Sequence, residues 1–398
     1  MPYITKGLLK GFYLPDYENG STVNLLASVI RARGGRSPHR NLAGLSMRPL
    51  RAARNIIYLV VDGLGVTQLE RFLHMGSGKQ FFAKHAWKPI SSVFPATTAA
   101  AVTTFATGAS PAEHAVLSWY LNLHDLGVVT MILPAITRTG SPLARDEFDL
   151  NAYLDLPSCI DSAKGRRGLI SYEDIPQSRY SRAGTRWTDR LSARTLQGLE
   201  RQIMAFVRKR GKKMAYAYWP EYDSNCHEYG VTHRKTDRHL RQIDESLARL
   251  VRKLKGTDTH LFVLADHGLI DAPVEQRIDL GAVPGFYDCL ATITSGDARS
   301  VSCFVRPGKV KAFKEIVNNK LGHACICTPG ETLLAMGAFG PGKPHKALAN
   351  RVGDFFLMAR PGYAFTATLP GWEPRFHVAY HGGMSAEEVL VPLYSIPC

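Results

Sequence analysis

Three short apolar runs, each broken off next to an acidic residue, restrict what this chain can fold into more than any other feature. Asn55–Val61 (NIIYLVV) stops at Asp62-Gly63, and Lys213–Trp219 (KMAYAYW) ends before Pro220 and Asp223. His260–Ala265 (HLFVLA) ends at Asp266-His267-Gly268. A run that is apolar throughout, rather than at alternate positions, fits a strand covered on both faces, the usual condition of a parallel sheet. Amphipathic helices are expected between the runs. Leu196, Leu199, Ile203, Phe206 and Val207 share one helical face, and Leu240, Ile243, Leu247, Leu250 and Leu254 share another. Strands alternating with helices predict an α/β fold with a doubly wound, mostly parallel sheet. Ligands of such sheets bind beyond the carboxyl ends of the strands, where Asp62, Asp223, Asp266 and His267 all fall.

At 398 residues, 45% of them hydrophobic and 21% charged, the chain can bury a sizeable core. Residues 1–50 are Gly- and Arg-rich and read as a basic arm on the surface. Residues 51–275 then form the first part of an α/β catalytic core. From 276 to 345 the texture shifts to Gly/Pro-rich turns around a short strand (Val301–Val305) and a helix (Val310–Leu321), which predicts a small α+β cap insertion. Residues 346–398, beginning with the run Asp354–Ala359, return to the core. No apolar stretch approaches the ~20 residues that span a bilayer, and the start of the chain lacks a basic-then-apolar signal pattern. The seven cysteines include no CxxC pair and read as reduced thiols, so a cytoplasmic location is expected.

The formal net charge of +15 favours anionic partners. Arg31, Arg33, Arg36, Arg40, Arg48, Arg51 and Arg54 follow one another with no acid between them. Nucleic acid, an anionic membrane face and phosphorylated small molecules are all compatible with that run, as is a merely soluble basic surface.

Taken singly, the candidate site residues are ambiguous. Asp223 and His227, four apart, share a face if helical and can chelate one ion, but a solvated turn holds the same pair as easily. Asp266-His267-Gly268 can send two adjacent side chains to different ligand positions, or can simply cap the next helix. Asp62 is a strand-ending acid of a common kind, and His381 before Gly382-Gly383 reads by itself as a loop histidine. His233 and Cys226 are read as bystanders. In Phe94–Gly108 (FPATTAAAVTTFATG), a loop with Pro95 leads into an Ala-rich helix from about Ala99, stopped by Gly108. Thr97 or Thr98 then sits at its N-terminus, either as a cap alone or as a hydroxyl facing the positive dipole end and a bound phosphate.

Together, and in this order along the chain, these motifs resemble the alkaline phosphatase superfamily, and within it the type I phosphodiesterase/nucleotide pyrophosphatase branch. The resemblance runs from about Ile56 to Leu393. The branch's Phe-Pro-x-x-Thr…Thr-Gly spacing stays in step from Phe94 to Gly108, which puts the nucleophile at Thr98 rather than Thr97. Ala265-Asp266-His267-Gly268 matches the family's Ser-Asp-His-Gly, and His381-Gly382 matches its last metal-binding His-Gly.

The resemblance implies hydrolysis of a phosphate ester or nucleotide through a phospho-threonine. It also implies two divalent metal ions, zinc by ligand type, with manganese or iron as the other choices. Asp223, His227 and His381 would hold one; Asp62, Thr98, Asp266 and His267 would hold the other. One position departs from the implied pattern, Ala101 standing where an asparagine is expected to help hold a phosphate oxygen. The sulfatase branch is disfavoured, since Cys327-Thr-Pro-Gly-Glu331 lacks the required arginine. A phosphomonoesterase or phosphonate hydrolase of the same superfamily is the nearest alternative. A protein of another class, binding nucleic acid or an acidic partner through the Arg31–Arg54 run, would keep salt-sensitive binding without Thr98 or metal.

Overall fold

The computed structural model describes residues 3–143, 148–369, 372 and 376–398. Its central sheet contains β1 (Asn55–Val61), β2 (Trp87–Ser91), β6 (Arg166–Tyr172), β7 (Asp189–Ala193), β8 (Lys213–Trp219), β9 (Thr259–Leu264) and β18 (Leu390–Pro397). The order is β2-β18-β9-β1-β8-β6-β7. The five strands from β9 to β7 run parallel; β18 is antiparallel to both neighbours and joins β2 to the sheet. The expected mostly parallel α/β sheet is therefore what forms.

Every residue of β1, β8 and β9 is buried, so both faces of the sheet are covered. On one face Tyr58 stacks with Phe105 of the Thr98–Thr107 helix and with Tyr216. On the other, Leu59 and Val61 meet Leu199 and Ile203 of the Leu196–Arg208 helix and Ile243, Leu247 and Leu250 of the Arg234–Leu254 helix. Strand register then sets the site. Val61 lies opposite Trp219 and Val60 opposite Leu264, so the residues following β1, β8 and β9 emerge at one level of the sheet.

A second seven-stranded sheet, antiparallel throughout, lies beyond that edge. It is built from β3 (Tyr120–Leu123), β4 (Val128–Met131), β5 (Ile136–Thr137), β12 (Ser295–Asp297), β13 (Ser300–Cys303), β14 (Cys325–Pro329) and β15 (Phe355–Ala359), in the order β14-β15-β13-β12-β3-β4-β5. Two small ladders, β10 (Ile270–Asp271) with β17 (Ala379–Tyr380) and β11 (Arg277–Asp279) with β16 (Ala364–Thr366), complete the sheets. The cap expected at 276–345 is thus only part of a unit that also takes in 120–137 and 355–359. The run DFFLMA misleads for a physical reason. Phe355, Leu357 and Ala359 pack into one apolar cluster and Phe356 and Met358 into another, so this antiparallel strand is as uniformly apolar as a buried parallel one.

The expected surface arm is also corrected. Thr22–Ala32 is a helix whose Val23, Leu25, Leu26, Val29 and Ile30 are fully buried in the main core. Arg33, 3% exposed, donates to the carbonyls of Ala32, Leu50, Ala53 and Lys213. This arginine ties the N-terminal segment to the sheet and is not offered to an outside anion. No described helix is both long and apolar enough to cross a membrane.

Candidate active site

Asp62 follows β1 directly, Asp266 and His267 follow β9, and Asp223 and His227 lie one turn apart on the Glu221–Tyr229 helix that follows β8. Thr98 is the first residue of its helix, behind the N-cap Thr97, and Gly108 closes that helix in the left-handed conformation at φ 74°. His381 comes in from the far end of the chain, just after β17. All seven meet at one corner. His267 Nε2 lies 3.0 Å from Thr98 Oγ1, 3.3 Å from Asp62 Oδ1 and 3.6 Å from Asp266 Oδ2. His227 Nε2 is 3.2 Å from Asp223 Oδ2, and His381 Nε2 is 3.9 Å from Asp223 Oδ1. The His267 and His381 rings stack with centroids 3.9 Å apart.

The ring orientations are fixed from behind. His227 Nδ1 donates to the Ala379 carbonyl at 2.7 Å, and His267 Nδ1 donates to the Gly268 carbonyl at 3.1 Å. In each neutral ring the Nε2 lone pair then points at carboxylate oxygens. That arrangement repels unless a proton or a cation lies between. Asp62 Oδ1, Asp223 Oδ1, Asp266 Oδ2 and His381 Nδ1 are buried with no hydrogen-bond partner. Leaving several charged oxygens buried and unpaired costs several kcal/mol each, so a built site of this kind calls for positive charge.

Titration tells the same story. Burial, then Asp266 and Asp223, push the Asp62 carboxyl well above its usual range. Burial also raises Asp223, but His227 above all, with His381 and His267, overrides it and holds that carboxyl below the usual range. Burial and the neighbouring His267 drive His381 well down, toward the neutral form that ligates.

Donor chemistry and geometry therefore fit divalent cations. Ligand atoms of Asp223, His227 and His381 lie within 4.8 Å of one another, as do those of Asp62, Asp223 and His267. Asp223 is thus within reach of both groups, whereas the sequence reading assigned it to one. Asp266 Oδ2, buried without a hydrogen-bond partner, lies 3.6 Å from His267 Nε2 beside the second group, while its Oδ1 is engaged by the Gly63 and His267 backbone N–H groups at 3.0 Å each.

Other residues at the corner lie outside the sequence motifs. The Tyr218 hydroxyl, on the penultimate residue of β8, donates to Asp62 Oδ2. The His377 ring lies 4.4 Å from that of His227. Asp297, at the end of β12, accepts from Trp119 N and is pushed up to about 7 by burial. Strand alternation alone could have pointed Tyr218 at the Asp62 side; no spacing links Asp297 or His377 to the motifs. Ala101 is buried in the main core and does not line either cavity, so the side chain at this position does not reach the site.

Two cavities meet at Thr98. One, of about 700 Å³, is mainly apolar, walled by Val102, Leu133, Leu156, Ile175 and Trp187. The other, of about 560 Å³, runs under the second sheet past Asp223, His227 and His381 to Tyr120, Arg138 and Trp372. Both are of a size that holds a small-molecule substrate.

The sequence profile of the family described as type I phosphodiesterase / nucleotide pyrophosphatase matches residues 56–130 and 147–384. No curated protein matches the chain. Among solved structures, murine ectonucleotide pyrophosphatase / phosphodiesterase 5 superposes with a TM-score of 0.61 at 14% identity, over 85% of this chain and 87% of that one. The human protein of the same name gives 0.60 at 14% identity, over 85% and 87%. Phosphonoacetate hydrolase from Sinorhizobium meliloti 1021 gives 0.60 at 16% identity, over 86% and 90%. At these identities the likeness is one of fold.

Proposed function

The chain belongs to the type I phosphodiesterase/nucleotide pyrophosphatase family, a family of phosphoester hydrolases, and from that premise we propose that it cleaves phosphodiesters through a covalent intermediate on Thr98. The observation that carries this reading is the placement of the Thr98 hydroxyl. It opens a ten-residue helix, 3.0 Å from His267 Nε2, beside buried carboxylate oxygens without partners. A threonine hydroxyl is a weak nucleophile at neutral pH and attacks only with strong local assistance.

Asp223, His227 and His381 would hold one cation, and Asp62, Asp266, His267 and the Thr98 oxygen the other, with zinc first and manganese or iron next by ligand type. When bound, such ions supply the positive charge that favours the alkoxide and the developing charge on phosphoryl oxygens. The protein's own share is positioning. The free N–H groups of the helix's first turn face the phosphoryl group, and the helix dipole favours its negative charge. As Thr98 Oγ gives its proton to solvent and a P–O bond forms to it, the P–O bond to the leaving alcohol breaks, and the alcohol takes a proton from solvent. Water then attacks phosphorus, the P–O bond to Thr98 breaks, and one water proton goes to the Thr98 oxygen while the other stays on the phosphate or passes to solvent. The two cavities give each ester substituent a separate chamber.

The test is a comparison of bis(4-nitrophenyl) phosphate with 4-nitrophenyl phosphate, with added Zn²⁺ or Mn²⁺. Faster diester cleavage supports the proposal. A diester rate far below the monoester rate overturns it in favour of a phosphomonoesterase. A cytoplasmic location is proposed on the seven unpaired thiols, and cell fractionation tests it.

A further inference from the structure

We infer that Arg138 recognises a second anionic group on the substrate, a phosphate or carboxylate carried by the substituent that lies under the second sheet. The inference rests on the proposed hydrolase reading of Thr98 and names the class of substrate it takes: phosphoesters with two anionic centres.

Arg138 follows β5 and lines the cavity that also contains Thr98, Asp223, His227 and His381. It is only 7% exposed. Among the described residues no carboxylate lies within ion-pair distance of it; the Thr294 carbonyl accepts from its Nη1, and its Nε is buried with no partner.

Of the three other buried guanidiniums among the described residues, Arg351 also donates to a single carbonyl, that of Ala115, but lines neither cavity, and the remaining two are satisfied within the fold. Arg33 is satisfied by four carbonyls. Arg299 is forked onto Glu388 and donates to the carbonyls of Arg360 and Tyr363. Arg138 has neither arrangement. A charge removed from water without a counter-charge is unfavourable, and persists where something else is gained by keeping it.

The side chain is nevertheless held firmly. Its guanidinium lies over the Tyr120 ring at 4.4 Å from the centroid and 5.3 Å from that of Trp372. Aromatic faces on a guanidinium offset part of the desolvation and fix its plane, yet leave its edge free to donate. An edge with unused N–H donors, held rigid in a cavity that leads to the nucleophile, is shaped for the oxygens of a phosphate or carboxylate. Asp297 lines the same cavity but accepts from Trp119 N instead of pairing with Arg138.

The experiment is calorimetric titration of zinc-loaded protein with three probes. Methylphosphonate has one anionic centre, phosphonoacetate adds a carboxylate, and methylenediphosphonate adds a second phosphonate. Wild type should bind at least one of the two longer probes roughly tenfold or more tightly than methylphosphonate, and which one separates carboxylate from phosphate recognition. Arg138→Met, which keeps the volume and removes the charge, should abolish that preference while melting at or above the wild-type temperature.

No preference in wild type overturns the inference, as does a preference that survives in Arg138→Met. A variant that loses all three probes alike overturns it too. If Arg138→Met does not fold, Arg138→Lys decides the matter. Keeping charge without the planar fork, it should lose at least about threefold of the preference, and a full preference there refutes the assignment. Wild-type turnover of bis(4-nitrophenyl) phosphate, measured alongside, separates the two ideas. Turnover without the preference sinks Arg138 alone, and the preference without turnover sinks the hydrolase reading alone.

Discussion

The Thr98 hydroxyl and its neighbour Thr97 divide two jobs that the local residues leave open and the family resemblance separates, giving the nucleophile to Thr98. Thr97 has the extended N-cap backbone and Thr98 is the first helical residue, so Thr98→Ala should leave the helix intact. Its turnover of bis(4-nitrophenyl) phosphate is expected to fall by about a thousandfold or more, with the metal content of the purified protein retained. A variant that keeps a tenth of the wild-type kcat would remove Thr98 from the reaction. Metal removal acts on the same atoms. With Asp62, Asp223 and Asp266 each left one unpartnered buried oxygen, chelation should lower the melting temperature, and restored Zn²⁺ or Mn²⁺ should raise it again. At a free-ion level of 100 times Kd the linkage is about 2.7 kcal/mol, readable in a thermal melt, and an unchanged melt would mean those oxygens need no cation. Six of the corner residues stand out in the sequence because each follows an apolar run, opens a helix or sits in a spaced Asp/His motif, whereas His381 reads as a loop histidine until the family resemblance assigns it. Tyr218, Asp297 and Arg138 do not stand out, because what makes them matter is an orientation set by strands far away in sequence.

A pair of oppositely charged side chains decides how one whole element meets the site. The loop after β17 that carries His381 is gripped by Glu388, whose carboxylate accepts from Gly383 N at 2.8 Å and Ser385 N at 3.3 Å. Glu388 is itself forked by Arg299 at 3.1 and 3.0 Å, and its carbonyl accepts from Gly268 N at 2.8 Å, beside His267. Arg299 and Glu388 are both fully buried. Glu388→Gln leaves a buried guanidinium without its counter-charge, so unfolding stability should drop by about 3–5 kcal/mol, measured by urea denaturation. Zinc stoichiometry should fall as His381 is released. A loss under about 1 kcal/mol would show that the loop is held by other means. Half of this device is readable from sequence, since Ser385-x-x-Glu388 is a capping-box pattern and the structure forms that box. Its partner lies 89 residues away, in the turn between β12 and β13, and no local pattern announces it.

Across the whole molecule, the parallel core was legible and the second sheet was not, and one cause accounts for both. Uniform apolarity reports burial on two faces, not strand direction, so β1, β8 and β9 were assigned correctly while β15 was drawn into the wrong sheet. The same logic hid the N-terminal helix, in which every residue but Arg31 is buried, so that no polar face marks the helical period. Deep burial of this kind also sets the acid response of the fold. His114, fully buried, accepts from Val116 N at Nδ1 and lies 3.1 Å from Thr104 Oγ1 at Nε2, contacts that suit the neutral ring. Burial, with Arg351 nearby, brings it from 6.5 down to about 3, and burial brings His260 to about 4. Above the ordinary value neither the folded nor the unfolded chain binds a proton at these rings, and stability does not vary with pH on their account. Below it the unfolded chain takes up protons that the folded one refuses, so stability falls with falling pH until about 3 for His114. The slope reaches at most about 1.4 kcal/mol per pH unit for each such ring. Urea midpoints recorded from pH 8 down to pH 5 should therefore decline below pH 6.5 in the wild type. In His114→Gln, less stable at every pH for its lost contacts, the decline should be shallower, since one titrating ring is gone. Equal slopes in the two proteins would mean that His114 takes up its proton without unfolding, and that the acid sensitivity originates elsewhere in the chain.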